Sequence, residues 1–314
     1  MHEQVLVTGA SGFIGGALVR QMTRIGYPVI AVSRQRIQIA GTQCEPVHGD
    51  HTIQMDHWLE KTSFVIHAAA RVHLMQDSAA NPLAEFRKVN VGETLKLARQ
   101  AAKAGVKRFV FMSSIKVNGE VTEPGQVFSA DDAPNPLDAY GVSKHEAELG
   151  LRQIAVDTGM QVTIIRPPLV YGPGVRANFH TLMQAVARGI PLPLGAIDNP
   201  RSLVALDNLL DFIETCIKHP AAANQTFLVR DEEDLSTPEL IRRMARAMGK
   251  PARLIPVPVW MLEAGGALFG KREVVRRLCG NLQVDIEKAR NLLGWVPPIS
   301  VVEGLRRAVA EWRA

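Results

Sequence analysis

The hydrophobic positions of the first 170 residues alternate between two patterns. Short apolar runs, typical of strands buried on both faces, are separated by longer stretches with the apolar spacing of helices. This alternation predicts an α/β protein with a parallel sheet and helices on both of its faces. A further short strand is expected just before His48. The other predicted strands lie at residues 5–7, 28–33, 64–70, 108–114 and 162–166.

The pattern changes after residue 174, where prolines and glycines mark loops between short elements. We therefore expect residues 1–173 to form one domain and residues 174–314 a smaller mixed α/β domain over the strand ends. Segments near 200–230 are candidates for returning to the first domain. The elements expected in this part are two short strands and then two helices, at 202–205, 226–229, 236–248 and 283–293.

Composition and charge exclude several classes of protein. The 314 residues are 46% hydrophobic and 21% charged, as in ordinary globular proteins, and the formal net charge is +5. Like charges do not form blocks, so we expect no nucleic-acid partner, although a positive field favours an anionic substrate. The cysteines lack metal-ligand spacing, and we expect free thiols in a reducing cytoplasm and no metal site. They are Cys44, Cys216 and Cys279.

The hydropathy profile also argues against a membrane protein. The chain leads directly into a predicted strand, so we expect no signal peptide. The longest apolar stretch, at 257–269, is interrupted by Glu263 and is too short to span a bilayer. We therefore expect a cytoplasmic protein without a membrane partner.

A glycine-rich turn follows the first predicted strand and precedes a helical pattern. Strand, glycine turn and helix in this order are the context of a dinucleotide-binding fingerprint. Glycine lets a phosphate approach the backbone, and the helix that follows directs free N–H groups and its positive dipole end at the phosphate. The residues expected to bind the cofactor here are Gly9, Ser11, Gly12, Phe13, Ile14 and Gly15.

The spacing of this turn, G-x-x-G-x-x-G after Thr8, resembles that of the short-chain dehydrogenase/reductase superfamily, and its position near the N-terminus resembles the extended members. The resemblance implies a Rossmann-type doubly wound parallel sheet and a smaller domain that binds a nucleotide sugar. Further segments resemble the family, among them His67-Ala-Ala-Ala and Arg166-Pro-Pro-Leu-Val-Tyr-Gly. The resemblance implies further cofactor contacts at Asp50, His67, Ala68, Ala69, Asn90 and Pro167.

Two of these residues have a second interpretation. Asp50 is expected at the adenine, but it equally fits a helix N-cap. His67 is expected to be a structural hydrogen-bonding residue rather than a catalyst. The Asn at position 90 is expected to support the backbone of the active site.

The end of the second strand bears on the choice of cofactor. An NAD-binding unit usually carries an acidic residue here, bonded to the adenosine ribose. This chain has Ser33 followed by Arg34, so no carboxylate repels a 2′-phosphate and a guanidinium is available to bind one. We therefore expect the cofactor to be NADP in preference to NAD.

Tyr140 and Lys144 are four residues apart at a predicted helix start, so they share one face. A nearby ammonium favours the phenolate, and we expect Lys144 to lower the pKa of Tyr140. The pair can then exchange a proton with an alcohol or a carbonyl while hydride moves to or from a nicotinamide. Ser114, at a strand end, is expected to orient the reacting oxygen, and Lys144 is also expected at the nicotinamide ribose. The predicted catalytic residues are thus Ser114, Tyr140 and Lys144.

The segment after Ser114 indicates the branch of the family. Nucleotide-sugar 4,6-dehydratases carry Asp-Glu directly after this hydroxyl, whereas this chain has Ile115 and Lys116, which argues against dehydration. Asn118 replaces a Tyr of the family's V-Y-G. Arg201 lies in a segment that resembles the epimerases' diphosphate-binding segment. The residues expected to bind the substrate are Ser114, Lys116, Asn178, Arg201 and Arg276.

These resemblances imply hydride transfer at C4 of a nucleotide sugar, and the family pattern favours a UDP-linked one. The favoured interpretation is that the chain reduces a UDP-4-keto-6-deoxyhexose or N-acetylhexosamine for surface polysaccharide synthesis. The alternative is a UDP-glucose or UDP-N-acetylglucosamine 4-epimerase that keeps its NAD. A non-catalytic NADP-binding sensor is the alternative from another class. Members of the family usually form homodimers, so the resemblance implies a homodimer formed by the helices at 81–104 and 140–158.

Overall fold

The computed structural model describes residues 3–35, 37–46, 55–71, 81–268, 270 and 272–313. Its main element is a sheet of seven strands: β1 (Gln4–Thr8), β2 (Val29–Ser33), β3 (Gln43–Pro46), β4 (Thr62–His67), β5 (Arg108–Met112), β6 (Gln161–Arg166) and β9 (Thr226–Leu228). The strands are all parallel and lie in the order β3-β2-β1-β4-β5-β6-β9.

The strand order reverses between β1 and β4, because the chain first builds outward to β3 and then returns to the other side of β1. In such sheets the ligand crevice lies beyond the carboxyl ends of the strands at this switch point. The doubly wound α/β fold expected from the sequence is therefore confirmed. A second sheet contains β7 (Leu169–Tyr171) and β8 (Leu203–Ala205), which are also parallel.

Helices connect the strands and form most of the C-terminal part. No helix within the described ranges is long and apolar enough to cross a membrane. The α-helices are α1 (Phe13–Arg24), α2 (Asp56–Leu59), α3 (Pro82–Phe86), α4 (Thr94–Lys103), α5 (Ala139–Thr158), α6 (Ala177–Ala187), α7 (Leu206–Lys218), α8 (Thr237–Met248), α9 (Val259–Leu268), α10 (Arg272–Cys279), α11 (Glu287–Leu293) and α12 (Val301–Arg313).

Apolar side chains cover both faces of the main sheet. One face packs against α1 and α7, where Leu18, Met22 and Phe212 are fully buried. The other packs against α4 and α5, where Ala98 and Leu151 are fully buried. A third cluster joins α6, α8 and α12 in the C-terminal part. The two-sided burial explains why the strands are near-continuous apolar runs in the sequence.

Several elements after β6 differ from the expected ones, and α6, α7, α9, α10 and α12 were not among the predicted helices. The helix expected at 283–293 begins only at Glu287, because Leu282 and Val284 form β-bridges with Arg201 and Phe128 instead. The strand β7, which follows Pro167-Pro168, was not expected. The strand expected at 226–229 becomes β9 and pairs with β6, so the chain returns to the main sheet there.

Candidate active site

The glycine turn joins β1 to α1 in a packing arrangement that excludes side chains. Gly9 has a positive φ of 72°, and a Cβ on it would lie 2.7 Å from the backbone nitrogen of Ala69. A Cβ on Gly15 would lie 2.2 Å from the carbonyl oxygen of Gly9, and Gly12 donates its N–H to the same oxygen at 2.8 Å. The turn is therefore folded tightly against the end of β4, next to Ala68 and Ala69.

The start of α1 fits the phosphates of a dinucleotide. The N-cap Gly12 has no side-chain cap bond, and the first turn contains no acidic residue. The exposed Ser11 and Gly12 and the half-buried Phe13 and Ile14 form this end. Uncapped N–H groups and a helix dipole favour an anion here, so the geometry is that of a pyrophosphate cradle.

Replacing Gly15 with alanine tests this packing. The added methyl group collides with backbone, so we expect a loss of stability of about 1–3 kcal/mol and weaker dinucleotide binding. Thermal unfolding and calorimetric titration with NAD measure the two effects. The matched control is Gly265→Ala in α9, where a Cβ meets nothing within 4 Å. An unaltered affinity in Gly15→Ala would contradict a cradle at this turn.

His67 ends β4 and is held on both ring nitrogens. Its Nδ1 lies 2.7 Å from the Thr8 hydroxyl, and its Nε2 lies 2.9 Å from the Thr94 hydroxyl. Burial, with the charge of Lys144, lowers the pKa of His67 to about 3, so the ring is neutral. Because both nitrogens are occupied, the side chain is structural, and any contact of residue 67 with a cofactor is made by its main chain.

His67 also makes stability depend on pH. Its pKa is lowered in the folded chain, so below pH 6.5 the unfolded chain binds one more proton and unfolding becomes easier as the pH falls toward 3. At a pH of about 4.5 the loss from this group is about 2–3 kcal/mol. Urea unfolding of the wild type and His67→Gln should show a shallower acid slope in the variant. The exposed His57→Gln should retain the wild-type slope, and equal slopes in all three proteins would refute the assignment.

Asn90 fixes the backbone that leaves β4. It lies in a π-helical segment, Arg87–Glu93, between α3 and α4, and it is buried. Its carboxamide oxygen accepts from the N–H of Arg71 at 2.8 Å, and its nitrogen donates to the Arg71 carbonyl and to the Ser143 hydroxyl. Asn90 thus joins the segment that follows β4 to the residue before Lys144, and its support of an active-site backbone stays a prediction. Single π turns are frequent at functional sites.

Ser114 and Tyr140 meet at the carboxyl end of β5. Ser114 caps a 3-10 turn, Ile115–Val117, and its hydroxyl is hydrogen-bonded to Tyr140. Tyr140 lies in the first turn of α5, with its ring edge-on to Phe86 at 6.0 Å. The turn also contacts the next strand, because the N–H of Ile115 donates to the carbonyl of the buried Pro167 at 3.0 Å. The structure therefore brings the predicted hydroxyl and phenol together.

Lys144 lies beneath Tyr140 in a buried position. Its ammonium donates to the Met112 carbonyl at 2.8 Å and lies 4.5 Å from the centroid of the Phe111 ring and 5.9 Å from that of Tyr140. Burial lowers the pKa of Lys144 to about 7, although the carboxylate of Glu148 acts in the opposite direction. Ser114, Tyr140 and Lys144 thus form one cluster.

The expected low pKa of Tyr140 is wrong for the chain alone. Burial, and then the negative charge of Asp138, raise the pKa of Tyr140 to about 12, and the hydrogen bond from Ser114 only partly opposes them. Lys144, whose own pKa is lowered by burial, is only partly charged near neutral pH and does not bring the pKa of Tyr140 below its ordinary value. With the described residues alone, Tyr140 is therefore protonated near neutral pH.

Lys116 contacts carboxylates of the chain. Its ammonium donates to Asp138 and, at 3.2 Å, to Glu120. Asp138 is the N-cap of α5 and accepts from the N–H of Gly141 at 2.7 Å. Glu120 in turn accepts from Arg277 of α10 at 3.2 and 3.3 Å. A substrate contact of Lys116 stays a prediction.

The end of β2 carries the residues that bear on the choice between NAD and NADP. Ser33 is buried, and its hydroxyl donates to the carbonyl of Gln35 within the loop, so it is not free. Arg34 is exposed at the carboxyl end of the strand. Asp50, expected at the adenine, lies outside the described residues. The end of β2 thus presents a guanidinium, and no carboxylate stands at positions 33–35.

Of the other expected substrate residues, Arg201 is the most constrained. Its guanidinium donates to the carbonyls of Arg277 and Gly280 at 2.6 and 2.8 Å, at the end of α10, and burial lowers its pKa. Arg276 is exposed on the same helix, and Asn178 is exposed in the first turn of α6. The substrate contacts of these three residues stay predictions.

The sequence did not point to the polar network under the site. The buried Arg166 donates to both carboxylate oxygens of the buried Glu148 at 2.9 and 2.6 Å, and to the Asn118 side chain at 2.9 Å. Ser113 donates to the same carboxylate at 2.5 Å. The pair joins α5 to β6, and Ser113 links it to the residue before Ser114. Asn118, the replacement for the family's Tyr, thus has a partner in this network.

Within the described ranges, no group of three or more His, Cys, Asp or Glu side chains is placed to hold a metal ion. What the described residues fit is a dinucleotide, because the glycine cradle and the uncapped helix lie at the switch point of the sheet.

The comparisons with known proteins agree with this geometry. A family model, the NAD dependent epimerase/dehydratase family, matches residues 5–229. The chain is 47% identical over 310 residues to UDP-glucose 4-epimerase of Vibrio cholerae, covering 98% of this chain and 94% of that protein. It is 28% identical over 328 residues to N-acetyl-alpha-D-glucosaminyl-diphospho-ditrans,octacis-undecaprenol 4-epimerase of Escherichia coli O157:H7, covering 98% and 95%.

Among solved structures, MoeE5 in complex with UDP-glucose and NAD is similar with a TM-score of 0.77 and 25% identity, over 99% of this chain and 98% of that one. The resemblance to the extended short-chain dehydrogenases/reductases is therefore confirmed. The chain is an NAD-dependent enzyme that belongs to the NAD dependent epimerase/dehydratase family.

Proposed function

We propose that the chain is a UDP-hexose 4-epimerase that retains NAD and interconverts the two C4 epimers of a UDP-glucose or UDP-N-acetylglucosamine type substrate. The observation that carries the proposal is the 47% identity, over 98% of the chain, to a UDP-glucose 4-epimerase. The cluster of Ser114, Tyr140 and Lys144 supplies the groups that such a reaction needs. Reduction of a 4-keto sugar, the function favoured from the sequence, becomes the second candidate.

The chain's own residues would hold the cofactor at two points. The backbone of the Gly9–Gly15 turn and the start of α1 would bind the pyrophosphate. Lys144 and the strand ends at Ala68 and Pro167 would border the nicotinamide ribose. When bound, NAD supplies a hydride acceptor that later returns the hydride, together with the positive charge of its oxidised ring.

Tyr140 would take the proton of the sugar O4 while the C4–H bond breaks and a C4 ketone forms. Ser114 would donate a hydrogen bond to the same oxygen and hold it in line with the phenol. After the 4-keto sugar turns its other face to the site, Tyr140 would return the proton to O4 as the hydride comes back to C4. Atoms and electrons balance over the cycle, so no external redox partner is consumed.

The absence of Asp-Glu after Ser114 supports epimerisation over dehydration. Ile115 is buried, and the ammonium of Lys116 is bound by Asp138 and Glu120. No acid–base pair directly follows Ser114 to remove water from a 4-keto sugar. The site is therefore suited to moving hydride and a proton at C4 alone.

Ser33 and Arg34 favour the second candidate, a 4-keto reductase that uses NADPH once per turnover. The NAD bound in the structure of MoeE5 favours the first candidate, the epimerase. The nucleotide released from the purified, denatured protein separates them by mass spectrometry. We expect NAD in near-stoichiometric amount; an empty protein that binds NADPH more tightly than NADH would contradict the epimerase and support the reductase.

The homodimer, the cytoplasmic location, the boundary near residue 174 and a role in surface polysaccharide synthesis stay predictions. The dimer proposal is supported by exposed apolar side chains on α5, Leu149 at 51% and Val156 at 80%.

A further inference from the structure

Four side chains of alternating charge link the first turn of α5 to α10. In order they are Asp138, Lys116, Glu120 and Arg277. Lys116 and Glu120 are four residues apart, and Asp138 and Arg277 belong to distant parts of the chain. The first three are partly buried, with side-chain exposures of 18% for Asp138, 26% for Lys116 and 13% for Glu120. Charges in such positions are weakly screened and affect their neighbours.

The backbone of Lys116 is also part of the contact between the two catalytic elements. Its N–H donates to the Ser114 hydroxyl at 3.3 Å. Its carbonyl oxygen would lie 2.8 Å from a Cβ on Gly141, the residue after Tyr140. The turn that carries Ser114 therefore packs on the first turn of α5 at a point where only glycine fits. The side chain of Lys116 closes the same contact by binding the N-cap Asp138.

We propose that Lys116 is a positioning residue of the active site, which holds the Ser114 turn against α5 and compensates the Asp138 carboxylate beside Tyr140. This role is an alternative to the substrate contact expected from the sequence. The inference rests on the proposed function only in its kinetic arm.

The charges around Tyr140 give the direction of the effect. The negative charge of Asp138 disfavours the phenolate form of Tyr140. It is the second largest cause, behind burial, of the raised pKa of Tyr140. The positive charges of Lys116 and, to a smaller extent, of Arg277 in α10 stabilise the Asp138 carboxylate and partly neutralise it. Lys144 lies under the ring from α5, and Arg71 lies over Phe86, which packs on Tyr140. Removing the Lys116 charge leaves Asp138 less compensated, so the phenolate is further disfavoured and the pKa of Tyr140 rises.

The test compares Lys116→Met with Lys116→Met/Asp138→Asn in the NAD-loaded protein. Asparagine keeps the N-cap acceptor of α5 and removes its charge. The titration midpoint of Tyr140 is read by NMR of ¹³Cζ-labelled tyrosine, assigned with Tyr140→Phe, and the pH profiles of kcat and kcat/KM are measured in parallel. Lys107→Met is the matched control, since it removes the cation of an exposed ion pair with Glu3.

We expect Lys116→Met to raise the titration midpoint of Tyr140, and the pH at which kcat rises, by roughly half a pH unit or more. The double variant should reverse both shifts. Lys107→Met should move neither. A raised KM with an unmoved midpoint would overturn the proposal and show a substrate contact. An unmoved midpoint with kcat lowered equally at every pH would overturn it in favour of a packing role alone. The NMR experiment measures the titration midpoint of Tyr140 without substrate, so it tests the role of Lys116 even if the proposed activity is wrong.

Discussion

Tyr140→Phe will lower turnover of the UDP-sugar by about 10²–10⁴-fold, because the variant lacks the group that exchanges a proton with O4. The phenyl ring retains the edge-on contact with Phe86, so the fold and the binding of the dinucleotide should be kept. The measurement pairs steady-state kinetics with the nucleotide content of the purified variant.

Two results would contradict this role. Full turnover in Tyr140→Phe would remove Tyr140 from the chemistry and would favour a binding protein or sensor. A variant that had lost both turnover and dinucleotide would show a structural role instead. Ser114→Ala should lower turnover by a smaller factor, since it removes one hydrogen bond to the phenol and leaves the proton-transfer group in place.

Glu148→Ala will lower the free energy of unfolding by about 3–5 kcal/mol, because it leaves the charge of Arg166 buried without its partner. Arg166 is 1% exposed and Glu148 is fully buried, and their contact is bidentate. Ser113 also loses its acceptor in the variant. Urea unfolding at neutral pH measures the loss.

Glu146→Ala is the matched control for this prediction. Glu146 lies on the same helix, two residues earlier, and its ion pair with Arg87 is exposed to solvent on the Arg87 side at 51%. Exposed pairs contribute at most about 1 kcal/mol, so this variant should unfold almost like the wild type. Similar losses in the two variants would contradict a special contribution from the buried pair.

The sequence predicted the sheet well because its strands are buried on both faces and are therefore apolar throughout. The glycine turn was equally clear, since the positive φ of Gly9 and the close contacts of Gly12 and Gly15 with Gly9 arise within a few residues. The strand β7 was missed because it is only three residues long and follows two prolines. The late start of α11 depends on bridges to Arg201 and Phe128, which are remote in the sequence.

The site was predictable in its parts and not in its electrostatics. The spacing of Tyr140 and Lys144 placed them on one face, but burial, which the spacing does not reveal, raised one pKa and lowered the other. The partners of Lys116 and Arg277 were hidden for another reason: Asp138 is 22 residues from Lys116, and Glu120 is 157 residues from Arg277. Charge pairs at such separations follow from the fold and leave no periodic signal.

The most direct test of the proposed reaction is NMR of the purified protein with UDP-glucose, and separately UDP-N-acetylglucosamine, in D₂O without added cofactor. We predict that one of them is converted to a mixture with its C4 epimer and that hydrogen, not deuterium, remains at C4, because the hydride returns from the bound cofactor without exchanging with solvent. Deuterium at C4 would contradict hydride transfer. No epimer from either sugar, together with NADPH-dependent reduction of a UDP-4-keto sugar, would contradict the epimerase and leave the reductase in its place.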